Sequence, residues 1–200
     1  MYKVGITGGI GAGKSLICNI FQSIGIPVYD ADARAKQLIF ENAELKRMII
    51  DLLGPESYLP NGEYNRAWVG TKVFNDQQKL QALNHLVHPA VHKDAADWFE
   101  AKSTPYALYE AALIIEGNTQ DIFDALICVT APKELRIERV MKRNGISREA
   151  VESRIANQST ENEKRKHCHF EVINDEQHFL IPQVYRINKI LIERATNSDT

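Results

Sequence analysis

One stretch of the sequence decides the fold, and it reads Gly8-Gly9-Ile10-Gly11-Ala12-Gly13-Lys14-Ser15. It matches G-x-x-x-x-G-K-[ST], the pattern of a phosphate-binding P-loop. The apolar run at 1–7 predicts a buried strand before this loop, and the run at 16–21 predicts a helix after it. A strand, a glycine-rich loop and a helix in this order are the context in which the pattern binds phosphate.

The residue types of the loop suit a bound triphosphate. Glycines allow the backbone to approach the phosphates closely, and the N–H groups of the loop and of the first helical turn attract an anion. Lys14 is expected to reach the β- and γ-phosphates, and the Ser15 hydroxyl is expected to bind Mg²⁺. The alternative is a glycine-rich turn between strand and helix that holds no ligand.

Composition narrows the class of protein. The chain has 200 residues, of which 44% are hydrophobic, and a net charge of −2. We therefore expect one domain with a core, and neither a nucleic-acid nor a membrane partner. No apolar run approaches the length of a membrane span, and the N-terminus leads into a strand without a signal peptide. The three cysteines, Cys18, Cys128 and Cys168, follow no pairing pattern, so we expect a cytoplasmic protein with Cys18 and Cys128 in its core.

Strands and helices alternate along the chain. This order predicts an α/β fold of three layers, with a mostly parallel sheet between helices and with ligands at the carboxyl ends of the strands. The further strands are predicted at 26–29, 106–112, 125–129 and 171–174. Helical patterns cover 33–53, 66–101, 133–143, 147–159 and 181–194, with a break expected at His88-Pro89 and turns at 58–63.

The helical stretch after the second strand is too long for a single crossover helix. We therefore expect one P-loop domain over 1–200 that carries a helical, substrate-side region at 33–104. A second region, which is expected to form a lid, lies at 133–165, where arginines recur on one helix.

Two aspartates, Asp30 and Asp32, follow the second predicted strand and should lie beside the P-loop. A carboxylate there could accept a proton from a hydroxyl group or hold Mg²⁺ through water. Asp32 could instead be only the N-cap of the helix that follows it. For Asp30, a functional and a purely structural role are equally compatible with the sequence.

Three arginines, Arg136, Arg139 and Arg143, recur at helical spacing after the predicted strand 125–129. Arginine stabilises the negative charge that phosphoryl transfer spreads over the transferred group, so this helix could close over the phosphates as a lid. The alternative is a solvated basic face paired with Glu134 and Glu138.

Other signals are weaker. Arg66 follows a turn and could bind a phosphate of a second substrate, or lie on the surface at a helix start. The tetrapeptide at 51–54 matches D-x-x-G, but no N-K-x-D motif accompanies it, so a GTPase is not favoured.

Histidines give two patterns that resemble metal ligands. His88 and His92 are four residues apart, but Pro89 lies between them, and the run at 167–169 (His-Cys-His) has no partner cluster. Metal binding by these residues is therefore not favoured. The basic run at 164–167 lies among acidic residues and is interpreted as a solvated helix end.

Taken together, ordered motifs make the chain resemble the dephospho-CoA kinase family over nearly its whole length, to about residue 190. Besides the P-loop with Thr7 before it, they are Asp30-Ala31-Asp32, Gly62-Glu63-Tyr64-Asn65-Arg66, Val73-Phe74, Leu83-Asn84, His88-Pro89, Leu113-Ile114-Ile115-Glu116, Arg139 with Arg143, Gln158 and Val172-Ile173-Asn174.

This resemblance implies transfer of the ATP γ-phosphoryl group to the 3′-hydroxyl of dephospho-CoA, in the presence of Mg²⁺. It implies a catalytic base at Asp32, catalytic roles for Lys14, Arg139 and Thr7, and acceptor binding by the helical region 33–104. The ATP contacts that it implies are Gly9, Gly11, Ala12, Gly13, Lys14, Ser15, Leu16 and Arg143, and the acceptor contacts are Asp30, Arg66, His88 and Glu116.

The chain departs from the family pattern at four places. Leu16 stands where threonine is frequent, Ala112 where proline is usual and Arg136 where glutamine is common. The run 169–171 replaces the usual Ala-Asp-x, and none of these departures touches Lys14, Ser15, Asp32 or Arg139.

Two other functions stay open from the residues. One is a P-loop kinase for another small hydroxyl substrate, such as a nucleoside. The other is a nucleotide-binding regulator without transfer activity. The sequence does not determine the oligomeric state, and a monomer is compatible with it.

Overall fold

A computed structural model describes residues 1–74 and 76–198. Its centre is a five-stranded sheet in the order β2-β3-β1-β4-β5, in which every neighbouring pair of strands is parallel. The strands are β1 (Tyr2–Gly8), β2 (Val28–Asp30), β3 (Tyr106–Glu110), β4 (Ala125–Thr130) and β5 (Phe170–Ile173). The predicted parallel α/β sheet is therefore confirmed.

The apolar runs of the sequence form the central strands because those strands are covered on both faces. All six residues of β4 are buried, as are the last five of β1. In a parallel sheet such strands read as continuous rather than alternating apolar runs. Cys18 and Cys128 are buried, as predicted, with 3% and 0% of their surface exposed.

The chain divides into two compact units. The first consists of Met1–Asp30 and the chain from Phe99 onward, and the second is Ala31–Trp98. The first unit contains the sheet with α1 (Lys14–Ser23), α6 (Lys133–Asn144), α7 (Arg148–Ala156), α8 (Glu161–His167) and α9 (Leu180–Ser198).

The second unit is helical. It contains α2 (Ala31–Glu41), α3 (Ala43–Leu53), α4 (Arg66–Val73) and most of α5 (Gln77–Glu100). A tight antiparallel turn joins α3 to α4, in which the Gly62 N–H donates to the Leu59 carbonyl at 2.8 Å. This is the turn-rich stretch that the sequence predicted.

The predicted break at His88-Pro89 is wrong, because α5 continues through Pro89. A proline inside a helix removes one hydrogen bond of the ladder and crowds the carbonyl four residues before it, at a cost of about 3 kcal/mol. The buried positions Leu83, Val87 and Val91 recur every four residues on both sides of it. Burial of this stripe keeps the two halves of α5 in one helix.

Conversely, the helical pattern 33–53 forms two helices. Asn42 lies between α2 and α3, and its side chain accepts a hydrogen bond from the Leu45 N–H at 3.0 Å, which caps α3. Since α2 begins at Ala31, Asp32 lies inside its first turn. The interpretation of Asp32 as an N-cap is therefore wrong.

The interpretation of the basic run 164–167 as a solvated helix end is confirmed for the three exposed residues 165–167 and is wrong for Lys164. The run does end α8, whose N-terminus carries a capping box between Thr160 and Glu163. Lys164, however, is fully buried.

Within the part of the chain that the structure describes, no helix is both long and apolar enough to cross a membrane.

Candidate functional site

The P-loop joins the end of β1 to the start of α1 through two left-handed glycines, Gly11 (φ 80°) and Gly13 (φ 94°). A Cβ atom on Gly13 would collide with Nδ2 of Asn174, and one on Gly11 would lie 2.5 Å from the Arg136 carbonyl oxygen. Glycine is therefore required at both positions for two reasons, the backbone conformation and the close neighbours.

Internal hydrogen bonds hold the loop in shape. The Ala12 N–H donates to the Gly9 carbonyl at 3.0 Å, and Lys14 Nζ donates to the Gly8 carbonyl at 3.3 Å. The N–H groups of α1's first turn point along the helix axis at its N-terminus, where an anion is favoured. Leu16, in that first turn, has an exposed side chain.

Carboxylates from two neighbouring strand ends lie beside the P-loop. Asp30 and Glu110 are paired in register at the ends of β2 and β3. Ser15 Oγ donates to Glu110 Oε1 at 3.3 Å. Sequence reasoning missed Glu110, although its place at a strand end was a signal that could have found it.

Burial raises the pKa of the Glu110 carboxyl above its usual range, which the positive charge of Lys14 partly opposes. Hydrogen bonds from Cys18 and Ser15 also lower this pKa, and the charge of Asp30 raises it further. Glu110 is therefore a carboxyl group whose charge depends on the cations around it.

The oxygen donors around Ser15 fit Mg²⁺. Mg²⁺ in nucleotide sites is held by one or two carboxylates together with phosphate oxygens, rather than by a cage of protein ligands. Ser15, Glu110 and Asp30 provide such a donor set. Among the described residues, no group of three or more His, Cys, Asp or Glu side chains is placed to hold a metal ion.

Thr7, directly before the P-loop, is fully buried. Its hydroxyl donates to the Ala112 carbonyl at 3.3 Å, and Lys164 Nζ donates to the same carbonyl at 3.3 Å. Lys164 Nζ also lies 2.6 Å from Glu116 Oε1. Glu116, predicted to contact substrate, is thus engaged in a buried ion pair.

Arg139 and Arg143 differ in their surroundings. Arg139 donates to the Asn174 carbonyl at 3.1 Å and lies 3.1 Å from the Glu176 carboxylate. Asn174 in turn donates to the Ala12 carbonyl of the P-loop at 2.8 Å. Arg143 is exposed in the last turn of α6 and donates to the Asn144 side chain. Of the two, Arg139 is linked to the P-loop, through Asn174.

Arg136 belongs to the P-loop surroundings rather than to an exposed lid face. Only 6% of its surface is exposed, and its Nε donates to the Ile10 carbonyl at 3.0 Å. Its Nη1 lies 2.9 Å from Glu161 Oε1. The interpretation of a solvated basic face is therefore wrong for Arg136.

The remaining predicted residues lie in the second unit. Asp32 is exposed in the first turn of α2, Arg66 is the exposed first residue of α4, and His88 is exposed on α5. Partial burial of its ring, with the charges of His92 and His85, lowers the pKa of His88. A cavity of about 610 Å³ in this unit is lined by Lys46, Pro55, Glu56, Tyr58, Leu59, Pro60, Gly62 and Asn65.

His169 has a structural partner. Its Nδ1 accepts a hydrogen bond from the Leu126 N–H at 3.1 Å, and its own N–H donates to the Leu126 carbonyl at 2.9 Å. This residue therefore extends the pairing of β4 with the segment before β5.

The parallel sheet, the P-loop between β1 and α1, and the strand-end carboxylates beside Ser15 define a P-loop phosphotransferase. The sequence profile of dephospho-CoA kinases matches residues 2–179. The chain belongs to the dephospho-CoA kinase family.

Individual relatives agree with this assignment. A dephospho-CoA kinase of Porphyromonas gingivalis is 35% identical over 198 residues, which are 98% of each chain. One of Bacteroides fragilis is 32% identical over 193 residues, covering 96% of this chain and 94% of the relative. A crystal structure from Thermus thermophilus has a TM-score of 0.82 at 31% identity, covering 96% of this chain and 97% of that one.

Proposed function

We propose that this chain transfers the γ-phosphoryl group of ATP to the 3′-hydroxyl of dephospho-CoA, which gives coenzyme A and ADP. Phosphorylation of dephospho-CoA with ATP is the reaction of its family and belongs to coenzyme A biosynthesis. The observation that carries the proposal is the P-loop with Ser15 Oγ placed 3.3 Å from a strand-end carboxylate, Glu110. Such a pair is what Mg²⁺ and a nucleoside triphosphate require of a protein.

The nucleotide side of the reaction is assigned to the P-loop. Lys14 and the loop N–H groups bind the phosphates of ATP, and Thr7 is assigned an active-site role just before the loop. Ser15, with Glu110 and Asp30, would hold Mg²⁺, which neutralises charge on the phosphates when it is bound. The contacts of Gly9, Gly11, Ala12 and Gly13 with ATP follow from their places in the loop, and that of Leu16 follows from its place in the first turn of α1.

The acceptor side is assigned to the second unit and the strand end before it. Asp32 is the base that accepts the proton of the attacking hydroxyl, a role for which an exposed carboxylate in the first turn of α2 is available. Arg66 and His88, both exposed, bind the acceptor, and the cavity beside Tyr58 could take its non-reacting part. Asp30 and Glu116 complete the acceptor residues that the family resemblance implies.

Arg139 and Arg143 are assigned to the region 133–165, as a lid over the nucleotide. The ion pair of Arg139 with Glu176 is exposed on the Glu176 side. Such pairs contribute about 0–1 kcal/mol, so Arg139 can exchange Glu176 for a phosphate at little cost. Arg143 is exposed in the last turn of α6, so its side chain is accessible to a nucleotide.

Other assignments complete the proposal. A different small hydroxyl acceptor, such as a nucleoside, is not favoured by the family. Three free thiols, those of Cys18, Cys128 and Cys168, fit the reducing cytoplasm. A monomer is sufficient for the roles given above.

The test is the release of ADP by the purified protein with Mg·ATP, in the presence and absence of dephospho-CoA. We expect ADP release that depends on the acceptor, and a product heavier than dephospho-CoA by one phosphoryl group in the mass spectrum. Digestion of the product with a 3′-nucleotidase should restore dephospho-CoA. Binding of ATP without any turnover of dephospho-CoA would contradict the proposal.

A further inference from the structure

The P-loop residue Ile10 is held from three sides by groups outside the P-loop. Its N–H donates to Gln158 Oε1 at 2.8 Å, and its carbonyl accepts from Arg136 Nε at 3.0 Å. Its side chain packs against a small apolar cluster of Ile137, Val140 and Val151 on α6 and α7. Both polar groups of the Ile10 backbone are therefore directed to partners outside the loop.

Arg136 is the centre of this arrangement. Its guanidinium connects the Ile10 carbonyl to the Glu161 carboxylate, at 3.0 Å and 2.9 Å. Glu161 Oε1 also accepts from the Ala131 N–H at 3.4 Å, at the end of β4. The arginine and Glu161 have 7% and 24% of their side chains exposed, so this ion pair is largely desolvated. Glu161 thus fixes the direction in which Arg136 reaches the loop.

The backbone of the loop is shaped to accept Arg136. A Cβ atom on Gly9 would collide with the guanidinium of Arg136, and one on Gly11 would lie 2.5 Å from its carbonyl oxygen. Two of the loop glycines are therefore in contact with one side chain and its backbone. The atoms nearest Gly9 belong to the Arg136 side chain, so a shorter side chain at 136 would leave this contact unfilled, whereas the atoms nearest Gly11 are backbone atoms that any residue would supply.

We propose that Arg136 is a positioning residue that, held by Glu161, sets the conformation of the P-loop at Ile10 for ATP binding. The inference rests on the proposed binding of ATP by this loop. The family resemblance implies glutamine at this place, and Arg136 departs from it. A glutamine has no charge to pair with Glu161, and it cannot donate to Glu161 and Ile10 with the planar fork of a guanidinium.

The experiment compares Arg136→Gln, Arg136→Lys, Glu161→Gln and the double variant Arg136→Gln/Glu161→Gln in the full chain. Binding of the non-hydrolysable analogue AMP-PNP with Mg²⁺ is measured by calorimetry, and kcat and KM are measured for both substrates. Arg148→Gln is the matched control, because Arg148 also pairs with a glutamate (Glu134, 2.7 Å) but on the surface.

We expect Arg136→Gln to weaken AMP-PNP binding and to raise KM for ATP by about tenfold, the usual effect of removing hydrogen bonds to a charged group. KM for dephospho-CoA should stay within about twofold, and Arg136→Lys should recover part of the loss. The double variant should bind no more weakly than Arg136→Gln alone, because Glu161 acts through Arg136. If Arg136 contributed to stability alone, Arg136→Gln would lower the melting temperature, but KM for ATP would not rise more than KM for dephospho-CoA.

Folded Arg136→Gln protein that binds AMP-PNP as the parent does would overturn the proposal. The proposal would also be overturned if the loss of AMP-PNP affinity in the double variant equalled the product of the losses in the two single variants, because Glu161 would then act independently of Arg136. If Arg136→Gln does not fold, Arg136→Lys and Glu161→Gln give the same comparison. Binding of AMP-PNP needs no acceptor. If the parent protein binds AMP-PNP but does not phosphorylate dephospho-CoA, the proposed function is contradicted, and the role of Arg136 in nucleotide binding can still be tested.

Discussion

Lys164 Nζ lies 2.6 Å from Glu116 Oε1, and the lysine side chain is fully buried. The same Glu116 oxygen accepts a hydrogen bond from the Ser159 N–H at 2.8 Å. Its other oxygen, Oε2, is buried and has no hydrogen-bond partner among the described residues. This ion pair therefore joins α8 to the turn after β3, and its two charges depend on each other.

Replacing Lys164 by methionine should destabilise the protein strongly. The substitution leaves the Glu116 carboxylate buried without its cation, which typically costs about 3–5 kcal/mol. The double variant Lys164→Met/Glu116→Leu should recover part of that loss. Urea unfolding measures the free energy of unfolding of both variants. Lys166→Met is the control, because Lys166 is exposed on the same helix. A Lys164→Met protein as stable as the parent would show that the pair is not coupled.

Gly13→Ala should abolish tight binding of Mg·ATP. The new Cβ atom collides with Asn174 Nδ2, and the left-handed conformation alone costs about 1–2 kcal/mol for an alanine. Gly145→Ala is the matched control, because Gly145 has φ 64° and no atom within 4 Å of an added Cβ. We expect Gly145→Ala to lose stability but to keep its nucleotide affinity. Equal affinities in the two variants would contradict the role of the contact with Asn174.

The pKa of Glu110 predicts a pH dependence of stability. A carboxyl group whose pKa burial has raised holds its proton more tightly in the folded than in the unfolded chain. The free energy of unfolding should therefore fall as the pH rises from the unfolded value of about 4.3 through the folded value. Glu110→Gln has no proton to lose in this window, so its free energy of unfolding should fall less.

Urea titrations at a series of pH values, without nucleotide or Mg²⁺, measure the difference. Glu138→Gln, an exposed glutamate on α6, is the control and should follow the parent curve. Parallel curves for Glu110→Gln and the parent would contradict the predicted effect of burial.

Asp32→Asn should lower kcat by about 10²–10⁴-fold, the usual contribution of a general base. The affinity for Mg·ATP should stay nearly unchanged, because the P-loop residues are intact. Asp51→Asn, an exposed aspartate on α3, is the control and should turn over like the parent. Turnover and nucleotide binding are measured separately by ADP release and calorimetry. Unchanged turnover would remove Asp32 from the mechanism.

Most of the sheet could be predicted from the sequence, because buried parallel strands are continuous apolar runs between turns. The helices were less predictable where tertiary packing outweighs a local signal. Pro89 predicts a break, yet α5 continues because its stripe at Leu83, Val87 and Val91 is buried. Asn42 gives only a weak local signal, yet it ends one helical pattern by capping α3.

The sequence by itself determined the P-loop, since its glycines, Lys14 and Ser15 lie within eight residues and form the turn between β1 and α1. It also placed Asp30 and Asp32 at a strand end. Only the tertiary structure decided which distant side chains surround that loop. Glu110 reaches Ser15, and Arg136 and Gln158 reach Ile10, across 95, 126 and 148 residues. Contacts over such separations follow from the packing of strands and helices, and no local pattern of residues specifies them.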